Sequence, residues 1–425
     1  MPFRISILAL IIISGFCNIS VAQAVRVRLI PKPGGGSELS RGDAPYFVKG
    51  VGLDKGSIAT AAEFGANCAR TWGSDQLGQI LDEAQRNNMT VCAGIWLGHE
   101  RHGFRYNDPA QVARQKEDVR RVVELHKNHP ALLVWGLGNE MEGDGKNPDV
   151  WNAVEDIAKM VKQLDPDHPT MTVISEFGDD PAKIRGTHDI CKNIDIVGLN
   201  SYGSVATLAK RYQTLGGTKP YLLTEFGPRG WWESERKGDA PLEPTSTEKA
   251  GMYRLAYESA VLGQPGCLGS YAFLWGWKQE ATTTWFGLVL PSGERVGAVD
   301  VLARFWTGKS VENLCPTVQP LKLVEPAAIR PGARLRILLE ASDPEGDRLD
   351  VSWELREEGK ALGGGDAEPE AHTLPSSIIE ASPHAVTIEL PATPAPRGYR
   401  IYAIVKDTHK GAATANLPLV PERAN

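Results

Sequence analysis

Between residues 46 and 306 the chain alternates two hydrophobic rhythms. Short, almost continuous apolar runs lie at Tyr46–Leu53, Asn67–Trp72, Thr90–Leu97, Leu132–Glu140, Thr170–Glu176, Ile194–Tyr202, Tyr221–Glu225 and Leu268–Trp277. Between them lie stretches whose apolar residues return to one helical face. Gln76–Asn88 keeps Leu77, Ile80, Leu81 and Ala84 together, and Pro109–Asn128 does the same with Val112, Val119, Val122 and Val123. Further helices are predicted over Ser57–Phe64, Val150–Leu164, Ala182–His188, Val205–Leu215, Thr247–Leu262 and Val296–Trp306. Runs apolar on both faces read as parallel strands covered by helices. Eight strand-then-helix units, joined by right-handed crossovers, predict a closed (β/α)8 TIM barrel of the α/β class.

The pattern changes at both ends. Val25–Ile30 is followed by Gly34-Gly35-Gly36 and a turn at Arg41-Gly42-Asp43, which predicts a hairpin leading into the barrel. The barrel with this hairpin occupies 25–308, and Cys315–Pro320 marks a linker over 309–320. Over 321–425 strand-like runs recur without helices, at Arg334–Ala341, Leu349–Glu354, Ala385–Leu390, Tyr399–Lys406 and Ala412–Pro418. Period-two alternation between turn signals predicts an immunoglobulin-like β-sandwich. Asp343, Glu345 and Asp347 are expected to form an acidic β-turn around Pro344 rather than a Ca2+ site.

Two of the apolar runs end in acids. Leu-Leu-Val-Trp-Gly-Leu-Gly-Asn-Glu (Leu132–Glu140) closes the fourth strand, and Tyr-Leu-Leu-Thr-Glu (Tyr221–Glu225) closes the seventh. Active sites of such barrels lie where the strands emerge at their C-terminal ends. Arg70 and Trp72, Trp96 and His99, Asn139, Glu176, Asn200 and Tyr202, and Trp275 and Trp277 stand at the remaining strand exits. Carboxylates, a guanidinium, amides and indoles suit a polyhydroxylated ring. Two carboxyl groups flanking a bond are the minimum for cleaving a glycosidic linkage.

Gly138-Asn139-Glu140 and Thr224-Glu225-Phe226-Gly227 on these strands resemble the paired signatures of clan A glycoside hydrolases. That resemblance implies Glu140 as acid/base and Glu225 as nucleophile, with Arg70, Tyr202 and Trp275 in supporting positions. A bare barrel followed by one immunoglobulin-like module resembles glycoside hydrolase family 158, which implies endo-β-1,3-glucanase activity. The N-terminal sandwiches of family 2 enzymes are missing, which counts against that neighbour. The chemistry assigns the same roles. The proton donor needs a pKa raised by burial or a nearby anion, and Glu140 follows an apolar run and would face Glu225. Arg70 and Tyr202 would hold the charge of Glu225, Asn139 would bind the 2-hydroxyl of the sugar, and Trp275 would stack beneath the ring. Carboxyl groups about 5 Å apart give double displacement with retention of configuration.

Glu176, in Ile-Ser-Glu-Phe-Gly, imitates the Glu225 motif on strand five and is read as a decoy. His99 is grouped with the substrate-binding residues; for His99 and His102 the alternative is plain solvation. Trp72, Trp96 and Trp277 serve either core or sugar platform.

Composition narrows the picture further. With 425 residues the chain holds a barrel plus one smaller module, and its net charge of −6 offers no footprint for nucleic acid. Arg4, the apolar run Ile5–Ile13 and Ala22-Gln23-Ala24 read as a signal peptide over 1–24, so the mature protein is expected to be exported, without a membrane anchor, and monomeric. Of six cysteines, Cys17 lies in that leader, and Cys68, Cys92, Cys191, Cys267 and Cys315 remain, an odd number that leaves a free thiol. No spacing suggests a metal or cofactor site. The expected substrate is a polysaccharide or oligosaccharide. A transglycosylase, an exo-acting clan A enzyme and a non-catalytic sugar-binding protein are the rivals.

Overall fold

A computed structural model of the chain describes residues 23–33, 36–324 and 329–420. The expected signal peptide therefore lies almost wholly outside the described residues. Eight parallel strands close a barrel: β1 Val48–Leu53, β2 Cys68–Arg70, β3 Thr90–Ile95, β4 Leu132–Asn139, β5 Thr170–Ile174, β6 Ile196–Asn200, β7 Tyr221–Phe226 and β8 Cys267–Trp275. Each hydrogen-bonds its sequence neighbours, and β8 closes the ring onto β1. Around it run α1 Ile58–Glu63, α2 Leu77–Arg86, α3 Pro109–His126, α4 Pro148–Leu164, α5 Ala182–Arg185, α6 Leu208–Thr214, α7 Ser246–Ala260 and α8 Gly297–Thr307.

Local signals fix where the long helices begin. Asp108 and Asn147 cap α3 and α4 with a proline at the first helical position, and Thr245 with Glu248 forms a capping box on α7. Two expected helices come out shorter or wound differently. α5 runs on into a π turn, Gly186–Ile190, and a 3-10 turn, Val205–Thr207, precedes α6. Strand β2 also stops short of Trp72. There the Thr71 hydroxyl accepts the Gly94 amide, a ladder bond made by a side chain, and the chain bends out of the sheet.

The N-terminal hairpin becomes three strands, Val27–Pro31, Ser37–Arg41 and Ala44–Tyr46, laid across the N-terminal ends of the barrel strands. Val27 and Leu39 pack with Val48, Leu133, Met171 and Leu222, so the hairpin plugs the floor of the barrel. The five cysteines from Cys68 onward are all free, four of them buried. No helix among the described residues is long and apolar enough to cross a membrane.

The C-terminal module is a two-sheet sandwich. One sheet joins β10 Asp350–Glu357, β13 Tyr399–Lys406 and β14 Gly411–Leu419; the other joins β9 Arg334–Leu338, β12 Ala385–Glu389 and β11 Ile378–Ala381. Trp353, Leu355, Ile401 and Val405 meet Leu335, Ile337, Val386 and Ile388 in its core. Its acidic turn uses the Asp343 carboxylate to accept the Glu345 and Asp347 amides.

The module is sewn to the barrel. Arg295–Val296, just before α8, pairs in parallel with Gly411 and Ala412, and Ala412 belongs to the hydrophobic cluster of the barrel. Thr414 N donates to Ser246, Val318 N to Thr247, and Cys315 N to Asp300. Arg400, buried, grips Glu358 with two bonds of 2.9 and 2.8 Å and donates to Asn416 and to Pro241 O. A buried charge is tolerated only when its donors are met, and this one is.

Candidate active site

The C-terminal ends of the strands open into a cavity of about 690 Å3, lined among others by Trp72, Trp96, Asn139, Glu140, Glu176, Asn200, Tyr202, Glu225, Trp232 and Phe273. Glu225, at the exit of β7, is almost fully buried and surrounded by donors. Its Oε1 accepts from Arg70 Nη1 at 2.9 Å and from Trp72 Nε1 at 2.7 Å, and its Oε2 accepts the Tyr202 hydroxyl at 2.9 Å. Burial, and then the charge of Glu225, push the Tyr202 phenol well above its ordinary range, so it stays a donor. Three donors, one of them a guanidinium, stabilise the carboxylate as an anion.

Glu140 is treated in the opposite way. Burial, and then the neighbouring Glu225 charge, raise its pKa to about 7, although Asn200 Nδ2 donates to its Oε1 at 2.8 Å. Its backbone has a φ of +53°, and Gly138 before it has +79°. Left-handed backbone at a glutamate costs of order 1–3 kcal/mol and persists only where the surroundings impose it. Here the Glu140 amide donates to Val173 O, which holds the bend as β4 leaves the sheet. The φ of +79° favours glycine at 138, and a Cβ there would also press on the Met141 sulfur at 2.4 Å.

Arg70 ties the site together. Its Nη2 donates to Asn139 Oδ1 at 2.6 Å, and Asn200 Nδ2 reaches the same oxygen at 3.3 Å. With Oδ1 so engaged, Nδ2 of Asn139 is the group available to a sugar hydroxyl. Thr224 in turn orients Asn200 through its Oδ1 at 2.7 Å. The structure thus brings Arg70, Asn139, Glu140, Tyr202 and Glu225 into one network, through Trp72 and Asn200. Those two stood among the strand-exit residues but were not assigned to the site. Nothing in the sequence marks Trp72 as a donor to Glu225; the strand-exit position of Asn200 was the available signal.

Two expected residues lie elsewhere. Trp275 is fully buried, donates to Ser57 O at 2.8 Å and packs with Phe64 in the helix layer, while Phe273 and Leu274 line the cavity. It cannot stack beneath a ring. His99 is buried behind Trp96, its imidazole stacked on the indole at 4.6 Å, and it does not line the cavity. Burial, and then the charges of Arg101 and His102, lower its pKa to about 4, so it is a neutral backing for Trp96. Glu176 does line the cavity, but Arg211, Ser201 and Ser204 all donate to it. Burial opposes its charge, yet these partners outweigh it and bring the pKa to about 2. Among the described residues no cluster could hold a metal ion.

Part of the barrel matches a known family. Residues 74–230 match the family model "Glycosyl hydrolases family 2, TIM barrel domain". A β-glucuronidase of Bacteroides fragilis is 28% identical over 126 residues, 28% of this chain and 18% of that protein. A β-D-glucuronidase structure from Dictyoglomus thermophilum superposes with a TM-score of 0.52 at 18% identity, covering 67% of this chain and 54% of that one. A family 2 β-galacturonidase from Eisenbergiella tayi, bound to galacturonate, gives 0.52 at 18% identity, covering 67% and 55%. The chain thus spans about half the length of these structures and under a fifth of the curated relative. The matching model is that of family 2, whereas the bare barrel followed by one immunoglobulin-like module resembles family 158, which the comparisons do not support. Residues 74–230 thus resemble the TIM-barrel domain of glycoside hydrolase family 2, and a β-sandwich follows the barrel.

Proposed function

We propose that the protein is an exported, monomeric retaining β-glycoside hydrolase whose substrate is a β-linked glycan of neutral sugars, in its most specific form a β-1,3-glucan cut within the chain. The observation that carries this reading is the opposite treatment of two glutamates in one cavity. Glu225, held anionic by Arg70, Trp72 and Tyr202, attacks the anomeric carbon. Glu140, whose proton is retained up to about pH 7, gives it to the departing oxygen. The glycosyl–Glu225 ester is then hydrolysed by water that Glu140, now a base, deprotonates. Asn139 Nδ2 strengthens its bond to the 2-hydroxyl as charge develops on the ring.

Neutral sugar is favoured by the charge of the cavity wall. Asp54, Glu140, Glu176, Glu225, Glu233, Glu280 and Glu368 line it, against Lys55 and Lys278. Lys278 is already paired with Glu280 at 2.7 Å, and Lys55 lies 5.8 Å over the Trp277 ring. A uronate carboxylate would enter a wall on which acids outnumber bases, with Lys55 rather than a guanidinium to receive it among the described lining residues. Trp96 and Trp232, 45% and 49% exposed, offer indole faces to further sugar units, which suits a chain more than a single residue. Export rests on Arg4, Ile5–Ile13 and Ala22-Gln23-Ala24.

The relatives suggest the second reading, a glucuronidase. Assays on laminarin, mixed-linkage glucan, galactan, mannan and aryl β-glucosides and β-glucuronides separate the two. Reducing ends from laminarin, with β-anomers formed first by NMR, are expected; turnover of glucuronides alone would overturn the neutral-sugar reading. Chain-length redistribution without net reducing-end release would indicate a transglycosylase.

A further inference from the structure

The barrel leaves a gap in its own rim. The segments after β1 and β2, residues 54–57 and 71–76, are short, whereas those after β3 and β8 are long. Loop 358–371 of the sandwich spans that gap. Its base is closed by Glu357 N to His372 O and Leu374 N to Leu355 O, and its root is fixed by the Arg400–Glu358 pair. Farther along, both oxygens of Glu368 are used, one accepting Ala281 N at 2.7 Å in the segment after β8 and the other Leu362 N at 2.8 Å. The tip rests on the segment after β3, where Arg101 donates to Gly364 O at 2.6 Å and His102 meets Asp366 at 3.1 Å. Gly364, Gly365, Ala367 and Glu368 line the same cavity as Glu140 and Glu225.

We infer that the sandwich completes the active site: loop 358–371 is the wall against which sugar units beyond the scissile bond are recognised, and Glu368 is the positioning residue that holds it. The inference rests on the proposed function and adds the part of the substrate that the module reads. The wall is almost bare of side chains. Gly364, at φ +62°, approaches Arg101 so closely that a Cβ would lie 2.0 Å from its guanidinium, which leaves backbone alone facing a sugar ring. Gly365, at φ +74°, has nothing within 4 Å of a Cβ, so its missing side chain keeps the cavity open. Glu368 touches no reacting atom. Burial raises its pKa, and it serves as an acceptor clamping the two modules across the rim.

The test compares laminaripentaose with 4-nitrophenyl β-glucoside on the full chain. Asparagine tolerates the left-handed backbone, so Gly365→Asn places an amide in the open space without forcing the loop. The ratio of kcat/KM for pentasaccharide over aryl glucoside is expected to fall at least tenfold. In the control Gly346→Asn, at φ +83° with equally open surroundings in the module's acidic turn, the ratio stays within twofold of the parent. Glu368→Gln, which can accept only one of the two amides, is expected to lower the ratio threefold or more, mainly through KM. Hydrogen exchange gives a readout that needs no turnover: laminaripentaose is expected to protect amides of 362–368. An active protein with an unchanged ratio in Gly365→Asn, or protection confined to the barrel segments, overturns the wall. A parent that cleaves none of the glycans or glycosides sinks the proposed function instead.

Discussion

The exits of β5 and β7 carry nearly the same words, Ile-Ser-Glu-Phe-Gly and Leu-Thr-Glu-Phe-Gly, and end in different chemistry. Glu225 faces Arg70, at the end of β2, and Trp72 and Tyr202, in the segments just after β2 and β6, and borders Glu140. Glu176 faces Arg211 from α6 and two serine hydroxyls, and its charge is spent on structure. A local motif supplies the carboxylate; the strand that carries it chooses the partners.

The largest effect should come from breaking this asymmetry at Glu225. Glu225→Ala is expected to lower kcat by about 10,000-fold or more, because no covalent ester can form, whereas Glu176→Ala lowers it less than tenfold in the same laminarin assay. Equal losses would mean that the roles are shared. Arg70→Ala comes next: it leaves a buried carboxylate without its cation, so a stability loss of about 3–5 kcal/mol by urea titration is expected, with activity falling at least a hundredfold.

Glu140→Gln sharpens the comparison through pH. In the folded protein Glu140 keeps its proton up to about pH 7, against 4.5 when unfolded. Folding is therefore undisturbed below pH 4.5 and loses stability as pH rises toward 7, where the unfolded chain has already released the proton. The glutamine variant should gain up to about 3 kcal/mol above pH 7 and nothing at pH 4. Its kcat/KM for poor leaving groups should drop about 100- to 10,000-fold, and the alkaline limb near pH 7 should vanish with activated ones.

The smallest effect has the opposite sign. Glu176, held at about 2, stabilises the fold above pH 4.5, and that contribution is lost as pH falls toward 2. Since its carboxyl is partly solvent-exposed, Glu176→Gln should cost no more than about 1 kcal/mol at pH 7, less at pH 3.

The barrel was legible because its strands are apolar on both faces, a pattern few other architectures produce. That Glu140 and Glu225 share one cavity was legible because they interrupt those runs at their C-terminal ends. What escaped depends on side-chain direction beyond the regular ladder. Trp275 lies one residue after Leu274 lines the cavity, and its indole turns to the cap of α1; spacing alone does not fix such a turn where the β8 register shifts. Trp72 became a partner of Glu225 because Thr71 ended its strand early. The contribution of loop 358–371 was hidden more deeply, since it is distant in sequence from every residue it faces. The expected linker over 309–320 is likewise no free tether: Cys315 and Val318 are hydrogen-bonded to α8 and α7.

The pairing of Arg295–Val296 with Gly411 and Ala412 carries a practical consequence. Because β14, the last strand among the described residues, is stitched to the segment just before α8, the C-terminal quarter of the chain is not a cassette to be shuffled or trimmed. Cutting the gene after Gly308 would strip the cover from Ser246, Thr247 and Asp300 and uncap an edge of sheet, so an expression clone made that way should yield aggregate rather than a smaller enzyme.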